Sequence, residues 1–149
     1  MSEGSRLLAD ALAEIASLGA DSFDVAELVH LACERACAVL SCDGSIILLS
    51  VDGSTLAVAG TSTGIADVDI DVLVQAGDTP CHEAMQTGGP VQRSREDIGI
   101  GSVLSVPLVH RGRVIGSLCL VRRMRRHFLG HTVEDAQRLA DVVAYYSDS

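Results

Sequence analysis

Residues Ser102 to Arg123 read Ser-Val-Leu-Ser-Val-Pro-Leu-Val-His-Arg-Gly-Arg-Val-Ile-Gly-Ser-Leu-Cys-Leu-Val-Arg-Arg, and this stretch limits the fold more than any other. Two runs rich in Val, Ile and Leu flank Arg111-Gly112, as two β-strands joined by a tight turn would. With His110 opposite Arg113, Val109 faces Val114, Pro107 faces Gly116 and Ser105 faces Leu118. Side chains alternate across a strand. One face then carries Leu104, Val106, Leu108, Ile115, Ser117 and Cys119. The other carries Val103, Ser105, Pro107, Val109, Val114, Gly116, Leu118, Leu120 and, at its end, Arg122. Neither face is polar, so the hairpin needs cover on both sides and belongs in the middle of a sheet.

The rest of the chain supplies that cover. Leu8, Leu12 and Ile15 line one side of a short amphipathic helix over 6–18, with Gly19 as its stop signal. A stronger helix spans 24–40. Asp24 and Glu27 resemble a capping box, and Val25, Leu28, Val29, Ala32, Ala36 and Val39 form the apolar stripe. Ser45–Val51 and Leu56–Thr61 read as a hairpin turning at Asp52-Gly53. Over 64–77, alternating Asp and Ile/Val suggests a strand, whereas its place in the chain suggests a loop or short helix. Asp67, Asp69 and Asp71 lack the glycine and terminal glutamate of a calcium loop and read as a solvated acidic face. Thr79 or Asp78 caps a short helix that starts with Pro80 and ends at Gly88-Gly89. Pro90-Val91 opens another strand. After the hairpin comes a basic loop over 122–127. Thr132 and Asp135 form a second N-cap pair, and the helix over 133–146 buries Ala136, Leu139, Ala140, Val143 and Tyr146.

Composition narrows the class. The chain has 149 residues, 48% hydrophobic, enough for the core of one domain. No apolar run reaches the ~18 residues of a membrane span, and no signal pattern opens the chain, so a cytoplasmic location is expected. The five cysteines, Cys33, Cys37, Cys42, Cys81 and Cys119, include no CxxC pair. They are expected to be reduced and buried, with no structural zinc. Residues 1–91 carry fourteen acids against two arginines, and residues 92–149 nine arginines against six acids. The overall charge of −9 argues against general binding of nucleic acid.

The hairpin pattern, with the upstream Gly77-Asp-Thr-Pro-Cys-His-Glu-Ala-Met-Gln-Thr-Gly-Gly-Pro-Val91, resembles the GAF domain. It is most similar to the GAF domains that precede ANTAR RNA-binding antiterminator domains in actinobacteria. The likeness covers Arg6 to Tyr146, within a single GAF-like domain over 1–149. It implies an α/β (α+β) fold with a six-stranded antiparallel sheet, helices from both chain ends on one face and a small-molecule pocket on the other. Those relatives carry a longer segment, often helical, before the hairpin. Here only Gln92–Gly101 is present, made flexible by Gly99 and Gly101, which leaves a pocket shallow, open or absent.

Cys81-His82 is the sharpest local feature. A thiol at a helix N-terminus has a lowered pKa, so structural, sensing and catalytic readings all arise. Adjacent helical residues point about 100° apart, so the two are not a ready-made catalytic pair. The ANTAR-linked relatives often place a cysteine here, which implies a structural role. A Cys-His pair is also similar to that of bilin-binding GAF domains, but there it leads directly into the hairpin, and the Asp-Ile-Pro motif is absent here. GAF-type methionine sulfoxide reductases need cysteines in the loop before the hairpin, where Gln92–Gly101 has none. Of the cyclic-nucleotide motif only Phe128 fits. For haem, His82, His110, His127 and His131 lack a diagnostic context. The arginines Arg122, Arg123, Arg125 and Arg126 read as a solvated loop or an anion site.

By strand parity Arg122 shares a face with Val103, Ser105, Gly116, Leu118 and Leu120. These positions, with Cys81, His82 and Met85, are the expected ligand-binding set. The expected function is a stand-alone, non-enzymatic sensory or regulatory domain. It would bind a small ligand of unknown identity and signal through a homodimer of its terminal helices or a partner protein. Alternatives are a ligand-free dimerisation or interaction module, and a redox sensor or thiol enzyme based on Cys81. No catalytic residue, metal, nucleic acid or membrane partner is expected.

Overall fold

The computed structural model describes residues 3–21, 24–52, 55–63, 79–95 and 100–148. In chain order the elements are α1 (Glu3–Asp21), α2 (Val25–Leu40), β1 (Gly44–Ser50), β2 (Leu56–Thr61), α3 (Pro80–Thr87), β3 (Val91–Arg95), β4 (Ile100–His110), β5 (Arg113–Arg122) and α4 (Gly130–Ser147). The strands form an antiparallel sheet in the order β2-β1-β5-β4-β3, five among the described residues where the resemblance implies six. The ambiguous 64–77 stretch, with Asp67, Asp69 and Asp71, lies outside them.

The β4–β5 hairpin does occupy the middle, and β5 is the central strand. Its turn residues Arg111 and Gly112 both have positive φ, 54° and 75°, as the tight primed turn requires. The register from there on corrects the sequence reading. His110 pairs with Arg113 and Val109 with Val114, but Leu108, not Pro107, pairs with Gly116. Ile115 is therefore an extra residue, a β-bulge, and every later residue of β5 changes face relative to β4. Ser105 faces Cys119, and Leu104 faces Leu120. The cause lies next door, where Leu49 of β1 pairs with Gly116. A Cβ on Gly116 would collide with the Leu48 carbonyl oxygen, so glycine permits this close approach.

With that register the faces sort cleanly. Leu104, Val106, Leu108, Leu118 and Leu120 join Leu28, Val29, Ala32, Phe128, Leu139 and Val143 in one core beneath α1, α2 and α4. Each fully buried Leu or Val contributes about 1.5–3 kcal/mol to keeping that layer closed. Ile46, Leu48, Ile100, Val103, Cys119 and Val121 cluster with Cys81 and Met85 on the opposite side, under α3.

Helix ends follow the sequence in two places and depart from it in two. Asp24 accepts bonds from the N–H groups of Ala26 and Glu27, and Thr79 accepts from His82 N–H at 3.4 Å. Gly19 does not stop α1, which runs on to Asp21; its missing side chain instead leaves room for the Tyr146 ring. Thr132 and Asp135 do not cap α4, which begins earlier, at Gly130, with Leu129 at the cap position and no side-chain bond there.

Candidate functional site

Helix α3 brings the cysteine-histidine pair onto the sheet. Pro80 supplies the preset φ for the first turn, and Thr79 holds the start, with its hydroxyl 2.6 Å from His82 Nδ1. Cys81, one position earlier on the helix, turns inward and is fully buried. It is joined to Cys119 of β5 in a disulfide. This replaces the expected reduced thiol at Cys81, and with it the helix-terminal thiolate of the redox alternative. The bulge at Ile115 is the reason: without it Cys119 would point to the other face.

Two serines complete the contact. The Ser105 hydroxyl lies 2.7 Å from Cys119 Sγ and 3.7 Å from Cys81 Sγ. A disulfide sulfur has no proton, so Ser105 is the donor. Ser117 Oγ donates to the Cys81 carbonyl at 2.7 Å. All four residues are inaccessible to solvent. His82 and Met85 remain half-buried on the border of α3, and Glu83 pairs with Arg93 of β3 at 2.6 Å.

The structure divides the expected ligand set. Val103, Ser105, Cys81, His82 and Met85 lie together on the α3 side. Leu118, Leu120 and Arg122 lie on the other face, under the terminal helices, because the bulge inverts their parity. Gly116 sits against β1.

Arg122 is buried at the end of β5 rather than standing in a solvated loop. Its guanidinium donates to the carbonyls of Leu40, Ser41, Arg126 and His127 at 3.0–3.3 Å and stacks 3.9 Å above the Phe128 ring. The Leu40 and Ser41 carbonyls belong to the C-terminal end of α2, where a cation is favoured. Burial, then Arg126, lowers its pKa, opposed by Cys42 and Asp43. Arg122 also lines a cavity of about 340 Å3 with Arg126, His127 and His131. His110 meets Tyr145 edge to face instead. Among the described residues no three His, Cys, Asp or Glu side chains converge to hold a metal ion.

Sequence reasoning missed a second cysteine contact. Cys37 and Cys42 lie with their sulfurs 3.4 Å apart at the end of α2. The signal was their five-residue spacing across a helix C-terminus. Cys33, one turn earlier, is fully buried, and burial pushes its thiol up to about 12.

The outer surface of α1 and α2 forms a groove of about 760 Å3 in which Leu18 and Leu31 are flanked by Glu14, Asp21, Glu27 and Glu34. No described helix is long and apolar enough to cross a membrane.

Comparison with known proteins agrees with this architecture. The GAF domain family model matches residues 24–146. No curated protein sequence matches the chain. Among solved structures, the GAF domain of a phosphoenolpyruvate-protein phosphotransferase from Coxiella burnetii is similar with a TM-score of 0.76 at 16% identity, over 98% of this chain and 95% of that one. The GAF domain of a putative sensor histidine kinase from Pseudomonas syringae gives 0.76 at 20% identity, over 97% and 85%. The free methionine-R-sulfoxide reductase of Neisseria meningitidis, in complex with its substrate, gives 0.74 at 19% identity, over 98% and 91%. At these identities the likeness is one of fold.

Proposed function

The chain belongs to the GAF domain family, and we propose that it works as a sensory and regulatory module. In this reading it takes up a small ligand on the α3 side of the sheet. The event passes through the terminal helices, within a homodimer or to a partner protein.

The observation that carries the reading is the unequal cover that the described residues give the two sheet faces. Three helices and a continuous core close one of them. On the other, among the described residues, the eight-residue α3 packs on β3, β4 and β5. His82 and Met85 stand half-buried at its border, where they offer a hydrogen-bonding ring and a polarisable thioether to a ligand. Val103, Ser105 and Cys81 form the floor. Gly116, Leu118, Leu120 and Arg122, also in the expected set, pack against β1 or under the terminal helices and lie outside this surface.

The reading is non-enzymatic and cytoplasmic. In this reading it resembles the GAF domains that precede ANTAR domains, on the strength of the Gly77–Val91 and hairpin motifs. A ligand-free dimerisation or interaction module is the second reading. It is favoured by the closed contact of Ser105 and Ser117 with α3, which leaves no solvent there.

Amide hydrogen exchange separates the two. Protein isolated gently from its own cells is compared with the same protein after unfolding, dialysis and refolding. Slower exchange at 80–87 and 103–106 in the gently isolated sample supports a ligand. Identical exchange in both sinks the first reading and leaves the second.

A further inference from the structure

Helix α2 ends in a motif that sets two thiols side by side. Ser41 takes the left-handed conformation (φ 55°, ψ 55°), and its N–H bonds back to the Cys37 carbonyl. The next residue, Cys42, also donates its N–H to that carbonyl, at 3.3 Å. This is the six-to-one bond of a Schellman ending, in which the side chains of those two positions meet. Most helices fill the two positions with apolar groups. Here both are cysteines, with Cys42 Sγ–H donating to Cys37 Sγ at 3.4 Å. Ser45 Oγ lies 3.6 Å from the same Cys37 sulfur.

We infer that Cys37 and Cys42 form a dithiol redox site whose substrate class is a small hydroperoxide, with Cys37 the attacking sulfur and Cys42 the resolving one. The site is separate from the ligand reading above and does not depend on it. Both thiols are half-buried. Hydrogen bonding from Cys42, joined by the Ser62 hydroxyl, lowers the Cys37 thiol to about 6 against the opposing effect of burial. Cys42, the donor, is correspondingly raised. The two sulfurs thus have different roles before any oxidant arrives.

The chemistry balances with hydrogen peroxide as the oxidant. The Cys37 thiolate attacks one peroxide oxygen, the O–O bond breaks and hydroxide leaves, giving a sulfenic acid on Cys37. Cys42 sulfur then attacks the Cys37 sulfur, the S–O bond breaks, and the departing hydroxide takes the Cys42 proton. The proton that Cys37 gave up on ionising neutralises the first hydroxide, so two thiols and one hydrogen peroxide become one disulfide and two waters. The sulfurs have only to close from 3.4 Å to the ~2.05 Å of a covalent bond. Cys33 is the internal control, since burial holds its thiol protonated near neutral pH.

The test uses the full chain, reduced, freed of reductant and treated with hydrogen peroxide at pH 7 before alkylation. Chymotrypsin cleaves after Leu40, so a Cys37–Cys42 disulfide joins two peptides that otherwise separate. The expected result is that linked pair, with Cys33 alkylated. In Cys42→Ser, dimedone should label Cys37 as its sulfenic acid, while Cys37→Ser should form no link and react at least tenfold more slowly. Circular dichroism melts verify that each variant is folded. Cys37 and Cys42 remaining as alkylatable as Cys33 would overturn the inference, as would dimedone labelling confined to another cysteine.

Discussion

The Arg122 guanidinium lies 3.9 Å from the Phe128 ring centroid and bonds to backbone carbonyls of both α2 and the segment leading into α4. One buried cation thereby ties the end of β5 to the end of α2 and to the segment leading into α4. Lysine at this position keeps the charge but cannot reach several carbonyls in one plane. Arg122→Lys is expected to cost about 2–3 kcal/mol, because buried carbonyls lose their partners. Urea unfolding at neutral pH checks this, and a cost below about 0.5 kcal/mol would contradict it.

Gly116 makes a sharper prediction. Valine there would drive its Cβ into the Leu48 carbonyl oxygen and part β1 from the central strand. Gly116→Val is expected to lose about 3 kcal/mol or more, or to yield no folded protein. Gly89 is the control. A Cβ there meets nothing within 4 Å, and Gly89→Ala should stay within about 0.5 kcal/mol of the parent in thermal melts.

The Cys81–Cys119 disulfide closes a loop of 38 residues. Constraint of the unfolded chain by a loop of this length stabilises by about 2–4 kcal/mol. The double variant Cys81→Ala with Cys119→Ala should be less stable by that amount. The parent should melt lower after treatment with a phosphine reductant, and the double variant should be indifferent to it. Equal melting of parent and double variant would show that α3 does not depend on the bond.

Cys37 should titrate unusually early. Its alkylation rate with iodoacetamide should rise through a midpoint near pH 6 and level off above it, because only the thiolate reacts. Cys42→Ala removes the S–H that holds the thiolate. The midpoint should then move up toward the ordinary thiol value of 9.0. Mass-spectrometric rate measurements from pH 5 to 10 read both midpoints.

Much of this fold was legible in the sequence, and the misses share causes. The stripe of α4, that of α2 apart from the exposed Val25, and the Asp24 and Thr79 caps stand where the pattern puts them. Leu56–Thr61 forms its strand as read. Alternation in the central hairpin was clear too, but parity counting assumes an unbroken ladder. One bulge residue, Ile115, reversed β5 beyond it. That single insertion moved Leu118, Leu120 and Arg122 away from Ser105 and turned Cys119 toward Cys81. Hydrophobic alternation does not show such a slip when both faces are largely apolar; the one mark was Gly116, an interior strand glycine of the kind that accompanies a bulge. The Cys37–Cys42 contact was hidden for another reason. It arises from the left-handed Ser41 that ends α2, and serine is not the residue usually read as a helix terminator. Gly19 shows the reverse, a glycine that looks like a stop and instead admits Tyr146.

The most direct test of the sensory reading is a native mass spectrum of the untagged protein, purified gently from its own cells. The account predicts a dimer carrying an additional non-covalent mass that is lost on activation in the gas phase, and that mass identifies the ligand class. A spectrum showing the bare chain mass, repeated across growth conditions, would contradict it and leave a module that acts through protein contacts alone.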